Sequence, residues 1–142
     1  MDHVTQTAQA VTQTFLLELV DAKGDVTGLE ADFRYDPADP FAVTAVFKTG
    51  SGPVSWTFGR ELLVHGAYEP TGDGDVHVWP CLSADGTAVV IVELSSPEGQ
   101  VLVQASSRDL AGFIGAMLAS VPLGSEGDHV DVDTELAGLF TA

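Results

Sequence analysis

The sequence predicts an α+β fold made of antiparallel strands and a C-terminal helix. Three observations predict this class: short segments alternate apolar and polar residues, turns rich in Gly and Pro join two pairs of them, and residues 107–121 show helical periodicity. A length of 142 residues is typical of one domain. We therefore expect residues 1–142 to form a single domain around one core.

The first half of the chain predicts one strand and one hairpin. In residues 15–19 the first, third and fifth positions are apolar, which is typical of a strand with one buried face. Residues 43–48 and 54–58 alternate in the same way on either side of the turn at 50–53, so they predict a hairpin. Residues 1–13 show no comparable pattern, and we expect them to be poorly ordered.

Residues 59–105 predict a short helix, another strand and a second hairpin. These are the helix at residues 59–65, which ends at Gly66, the strand at 76–80, and the hairpin of residues 87–94 and 100–105. Residues 95–99 read Ser-Ser-Pro-Glu-Gly, with Ser, Pro and Gly at positions that a type I turn favours. This turn joins the two strands of the second hairpin.

The long helix has one apolar face and one uncharged face. Ser106 and Asp109 resemble a capping box at its start, and Pro122 marks its end. Its uncharged face contains Gly112, Gly115, Ala116 and Ala119. A surface helix in a chain with 21 acidic residues would be expected to carry charge there, so either the rest of the domain or a second chain should cover it. We favour a contact between subunits.

The charge of the chain narrows the classes of partner. Five Lys and Arg residues against 21 Asp and Glu residues give a net charge of −16 at pH 7. Nucleic-acid affinity comes largely from Lys and Arg at phosphates, so nucleic acid is an unfavourable partner, and so is an anionic bilayer. The acidity serves either solubility alone or the recognition of a basic protein.

The sequence also predicts where the protein resides. Cys81 is the single cysteine, and residues 1–13 have neither the basic start nor the apolar centre of a signal peptide. The uncharged stretch of residues 110–124 contains Pro122 and is shorter than the roughly 20 residues that span a bilayer. We expect a cytoplasmic protein without a transmembrane helix.

No motif of catalytic, cofactor or metal chemistry stands out. The nucleophile elbow, the phosphate loop and the dinucleotide fingerprint are absent from the sequence. Cys81 follows His77 by four residues, but Pro80 interrupts the strand, and we interpret the thiol as packed and inert. At the C-terminus the polar residues His129, Asp131, Asp133 and Glu135 occupy alternate positions, with Val130 and Val132 between the first three, which fits an edge strand better than a metal site. We expect no enzyme, no cofactor and no metal.

Two arginines and two tryptophans have two interpretations each. Arg34 precedes Tyr35, and Arg60 follows Trp56 closely, so structural ion pairs or cation–π contacts explain the arginines. Trp56 and Trp79 fit core or interface packing, and lack the neighbouring cations of a base-stacking platform. The alternative for all four is partner recognition, because Arg and Trp are enriched at binding hot spots.

Five segments resemble one family when they are taken together and in order. They are residues 33–43, 56–63, 70–80, 94–99 and 131–136, within a match that spans roughly residues 29–139. Their combination resembles the SsgA-like proteins of sporulating actinomycetes.

The resemblance implies a fold and a role. The implied fold is an antiparallel, barrel-like β domain with C-terminal helices, similar to the Whirly-type single-stranded nucleic-acid binders, and it forms a trimer. The implied role is that of a non-enzymatic cell-division protein, which helps to choose septum sites during sporulation and recruits or positions the tubulin-like protein FtsZ. Other SsgA-like or division proteins would be further partners.

We therefore expect a cytoplasmic protein concentrated at division septa, which associates with the membrane only through its partners. The candidate partner-binding residues are Arg34, Trp56, Arg60, Trp79, Ser96 and Glu98, and the candidate oligomer interface is the uncharged helix face. The alternative function is a single-stranded nucleic-acid-binding module of Whirly type, against which the net charge argues.

Overall fold

The computed structural model describes residues 8–129 as a strand-rich α+β domain. Its elements are β1 (Val11–Val20), β2 (Val26–Tyr35), β3 (Ala42–Thr49), β4 (Gly52–Gly59), α1 (Arg60–Gly66), β5 (Thr71–Asp73), β6 (Val76–Leu82), β7 (Ala88–Ser96), β8 (Gly99–Ser106), α2 (Ser107–Ser120) and a short 3₁₀ helix (Glu126–His129). Four strands followed by a helix thus occur twice along the chain. The α+β class predicted from the sequence is confirmed.

All eight strands belong to one antiparallel sheet in the order β4-β3-β2-β1-β8-β7-β6-β5. Helix α1 contacts β4 as well as β5 and β6, although β4 and β5 are the two edges of that sheet. The sheet therefore curves around the helices as a half-barrel. Helix α2 packs against the middle of the same face, on β1, β7 and β8.

The core lies between this curved face and the helices. Three aromatic rings form its centre: Phe15 and Phe33 lie 4.8 Å apart between ring centroids, and Phe113 of α2 lies 5.9 Å from Phe33. Leu110 and Met117 of α2 extend the contact on either side of Phe113 and are fully buried. One apolar stripe of α2, as predicted, is what holds the helix to the sheet.

The register places four hairpin turns at one end of the sheet. These turns join β1 to β2, β3 to β4, β5 to β6 and β7 to β8, and we call this side of the molecule the turn end. Both α1 and α2 begin where β4 and β8 finish, at the opposite end. The helices therefore cover the core face from the far side and stop short of the turn end.

The predicted hairpins, the short helix and the capped start of α2 are confirmed, whereas two features of the first half differ from expectation. The first strand begins at Val11, because residues 11–13 pair with residues 33–35 of β2. Residues 11–13 therefore belong to β1, while residues 1–7 lie outside the described part. Strand β2 was not predicted, since polarity alternates poorly around Gly28, and its full pairing with β1 stabilises it.

The sequence's tail also falls outside the described residues. Asp131, Asp133 and Glu135, which the alternation assigns to an edge strand, are beyond residue 129. His129, the last described residue, ends the 3₁₀ helix.

The close contact between α1 and β6 yields a stability prediction. Gly66 is buried at the end of α1, and a methyl group added there would overlap the Val78 side chain and lie 3.1 Å from the Val78 carbonyl oxygen. We expect Gly66→Ala to lower the free energy of unfolding by about 1–3 kcal/mol through overpacking. Urea unfolding followed by circular dichroism measures the change.

Gly50→Ala is the matched control, because a methyl group at Gly50 meets nothing within 4 Å. This variant should change the free energy of unfolding by less than about 0.5 kcal/mol. Equal stabilities of the two variants would contradict the close packing of α1 on β6.

Candidate partner-binding site

The core face of the sheet is left uncovered at the turn end. Along β4 the inward side chains change from the buried Phe58 to the half-buried Trp56 and then to Val54, which is 44% exposed. Along β8 the buried Val103 is followed towards the turn by Val101, which is 41% exposed. Apolar surface thus continues past the point where the helices end.

These side chains line a cleft of about 440 Å³, which we call the apolar cleft. Strands of both halves of the sheet contribute to it, and its principal apolar residues are Leu19, Leu29, Phe47, Val54, Trp56 and Val101. Ser96 and Gly99, from the turn between β7 and β8, form part of its edge. The cleft is concave and mainly apolar, which is the usual character of a binding site.

The turns around the apolar cleft are acidic. Three of the four turns carry five exposed carboxylates between them, and Lys23 is the single cation in these turns. The carboxylates are Asp21, Asp25, Asp73, Asp75 and Glu98. The turn of residues 73–76 adjoins the cleft strands, since the Ser95 backbone N–H donates to the Asp75 carbonyl oxygen at 2.9 Å. Three acidic turns therefore border the apolar floor, and Lys48, which pairs with Glu30 at 2.9 Å, also lines the cleft.

Arg60 lies at the opposite end of the molecule and is completely buried. Its guanidinium donates to the carbonyl oxygen of Val121 at 2.7 Å and to that of Pro122 at 3.3 Å. It forms an ion pair of 3.1 Å with Glu126, and lies 5.4 Å from the ring centroid of Tyr35. Arg60 therefore ties the segment after α2 to the start of α1.

The expectation that Arg60 contacts a partner is wrong, because its side chain has no exposed surface. The structural interpretation, an ion pair combined with a cation–π contact, is the correct one. Glu126 lies 66 positions further along the sequence, so no local pattern indicated the pairing.

The remaining predicted residues lie in three places. Trp56 and Ser96 both line the apolar cleft, and the exposed Glu98 lies in the turn beside them. Arg34 is exposed on the outer face of β2, 3.7 Å from Asp32, and Trp79 is half-buried on the outer face of β6. The structure thus brings together Trp56, Ser96 and Glu98, and separates Arg34 and Trp79 from them.

The uncharged face of α2 is exposed in the single chain. Gly112, Gly115, Ala116 and Ala119 are all exposed, and a methyl group added at Gly112 or Gly115 would meet nothing within 4 Å. Residues 8–129 therefore do not cover this face themselves. The sequence left two candidates for covering this face, the rest of the domain and a second chain. Within residues 8–129, the rest of the domain is excluded.

Residues 8–129 contain no group of three or more His, Cys, Asp or Glu side chains that could hold a metal ion. Cys81 is exposed rather than packed, which corrects the sequence interpretation, and His77 pairs with Glu93 at 3.6 Å. In the same range, no helix is both long and apolar enough to cross a membrane.

The sequence of this chain matches the model of a known protein family. The model of the family described as Streptomyces sporulation and cell division protein, SsgA, matches residues 29–126. The chain belongs to this SsgA family.

Individual members of the SsgA family match over most of the chain. The sporulation-specific cell division protein SsgB of Streptomyces coelicolor is 47% identical over 125 residues, which are 87% of this chain and 90% of that protein. SsgB of Frankia casuarinae is 41% identical over 132 residues, 92% of each chain. The resemblance identified from the sequence segments is confirmed.

Two solved structures of SsgA-family proteins share this fold. SsgB of Streptomyces coelicolor superposes with a TM-score of 0.81 at 43% identity, covering 87% of this chain and 98% of that chain. An SsgA-like sporulation-specific cell division protein from Thermobifida fusca superposes with a TM-score of 0.83 at 35% identity, covering 94% of this chain and 98% of that one.

Removal of the Arg60 guanidinium tests its structural role. Arg60→Met would leave the Glu126 carboxylate buried without its cation, and we expect the free energy of unfolding to fall by about 3–5 kcal/mol. Arg34→Met is the matched control, because the Arg34 ion pair is exposed and should contribute less than about 1 kcal/mol. Similar losses in the two variants, measured by urea unfolding, would contradict the assignment.

The environment of Glu126 predicts a pH dependence. A hydrogen bond from its own backbone N–H, aided by the Arg60 guanidinium, holds the pKa of Glu126 below its ordinary value of 4.5. The ionised carboxylate therefore stabilises the folded state fully above pH 4.5, and this contribution is lost as the pH falls through the lower folded pKa.

Urea unfolding at a series of pH values from about 6 to about 3 tests this, with Glu126→Gln as the comparison. The free energy of unfolding should fall more steeply with acidification in the unmodified protein than in the variant. If the free energy of unfolding has the same pH dependence in both proteins, the pKa of Glu126 does not differ between the folded and unfolded states.

Proposed function

We propose that this SsgA-family chain is a non-enzymatic adaptor of sporulation-specific cell division, which helps to select septum sites and recruits or positions FtsZ. Its relatives are named as sporulation-specific cell division proteins, and mutations in SsgB of Streptomyces coelicolor correlate to longitudinal cell division during sporulation. The observation that carries the adaptor role is the apolar cleft within acidic turns, because it offers a surface for a protein partner.

We propose that the adaptor is a trimer held together by the uncharged face of α2. The small side chains of Gly112, Gly115, Ala116 and Ala119 allow another backbone to approach closely. Burial of this face would also explain why it carries no charge. Other SsgA-like or division proteins are further proposed partners, through which the protein would reach the membrane at the septum from the cytoplasm.

Single-stranded nucleic-acid binding of the Whirly type receives less support. Beyond the net charge of −16, three of the five cations are already paired with carboxylates: Arg34 with Asp32, Lys48 with Glu30, and Arg60 with Glu126. These arginines and this lysine are poorly available to phosphates, which supply most nucleic-acid affinity.

Size-exclusion chromatography with light scattering tests both parts of the proposal on the full chain, alone and mixed with FtsZ of Streptomyces coelicolor. We expect a mass near three times 14.8 kDa for the chain alone and an earlier-eluting complex with FtsZ. Ala116→Glu should reduce the mass to that of a monomer, because a buried carboxylate would lie in the contact.

Ala84→Glu, in the exposed turn between β6 and β7, is the matched control and should leave the mass unchanged. A monomeric chain would overturn the proposed trimer. An FtsZ elution profile that the chain does not alter would overturn direct recruitment.

A further inference from the structure

We propose that the apolar cleft binds a short segment of a partner protein in which apolar side chains are flanked by Lys or Arg. The inference rests on the proposed adaptor function, and it specifies the chemistry of the partner at that site.

The floor of the apolar cleft explains the apolar part of the segment. Val54 and Val101 come from opposite halves of the half-barrel and each exposes more than 40% of its surface, while Trp56 is half-buried and packs against the core. A volume of about 440 Å³ accommodates a few aliphatic or aromatic side chains. Apolar surface that continues directly from a core is stabilised when a partner covers it.

The turns around the floor explain the basic flanks. Within residues 8–129, none of the five carboxylates at the turn end forms an ion pair, although Asp21 accepts two backbone hydrogen bonds within its own turn. Asp25 and Glu98 stand at the two turns that border the cleft strands β1, β2, β7 and β8. Cations on either side of an apolar segment would therefore meet carboxylates on both sides of the cleft.

Charge also decides between possible occupants. A second copy of this chain brings a net charge of −16. Residues 130–142 of the chain itself contain Asp131, Asp133 and Glu135 and no Lys or Arg. Nucleic acids and anionic lipids bring phosphates. All of these would place negative charge against an acidic rim, whereas a basic and apolar protein segment complements both the rim and the floor.

Selection from a phage-displayed library of random ten-residue peptides, with the full chain as target, tests the inference. We expect the selected peptides to combine at least two apolar residues with flanking Lys or Arg. Fluorescence anisotropy with a labelled copy of the most enriched peptide then measures affinity. Val101→Asn, on the floor, and Asp25→Lys/Glu98→Lys, on the rim, should each weaken binding by about tenfold or more.

Matched controls carry the same changes elsewhere. Leu16→Asn replaces an exposed apolar residue on the outer face of β1, and Glu61→Lys/Glu69→Lys reverses two exposed charges near α1, so neither should weaken binding. The inference is overturned if no peptide is enriched, if enriched peptides are acidic or uncharged, or if the cleft variants bind as tightly as the controls.

The FtsZ chromatography separates this inference from the proposed function. An FtsZ complex that forms although no basic and apolar peptide is selected would overturn the inference alone. Cleft-dependent binding of such peptides, with an unaltered FtsZ profile, would overturn direct recruitment of FtsZ and support the inference.

Discussion

The pairing of β1 with β8 holds the whole fold together. It joins two halves of four strands each through only three residue pairs, Glu18 with Gln104, Leu19 with Val103 and Val20 with Leu102. The Gln104 side-chain amide also donates to the Glu18 carboxylate at 2.7 Å. Because this seam makes one continuous sheet, a single curved face can enclose α1, α2 and the common core.

The same seam produces the apolar cleft. Leu19 and Val103 lie at the seam and line the cleft, and strands on both sides of them supply its other apolar walls. The helices enter from the opposite end of the sheet and are too short to reach the turns. The site is therefore the part of the core face that the chain's own helices leave open, and its shape follows from helix length and strand curvature.

Charge is used differently at the two ends of the molecule. At the helix end Nη1 and Nη2 of a single buried guanidinium bind carbonyl oxygens and the Glu126 carboxylate, which offsets much of the cost of removing it from water, while its Nε–H has no hydrogen-bond partner among the described residues. At the turn end, exposed carboxylates remain hydrated and without ion pairs in the described part of the chain. The buried ion pair stabilises the fold, whereas the exposed carboxylates give the turn end a negative surface that can favour basic partners.

Most local elements, the α+β class and the family could be predicted from the amino-acid sequence. Alternation, turn residues and helical periodicity are short-range features, so the hairpins and α2 could be predicted from neighbouring residues. Strand β2 could not be predicted, because its stability comes from pairing with β1 rather than from its own alternation of apolar and polar residues. Among the site residues, Trp56, Ser96 and Glu98 could be proposed individually, but Val54 and Val101 could not, since each is one apolar residue in an ordinary strand.

The tertiary structure alone shows which side chains meet. It placed Arg60 inside the molecule with Glu126, and it brought Val54 of β4 near Val101 of β8 across the curved sheet. Burial and juxtaposition depend on contacts between residues far apart in the sequence, which are set by sheet order and curvature and have no local signature.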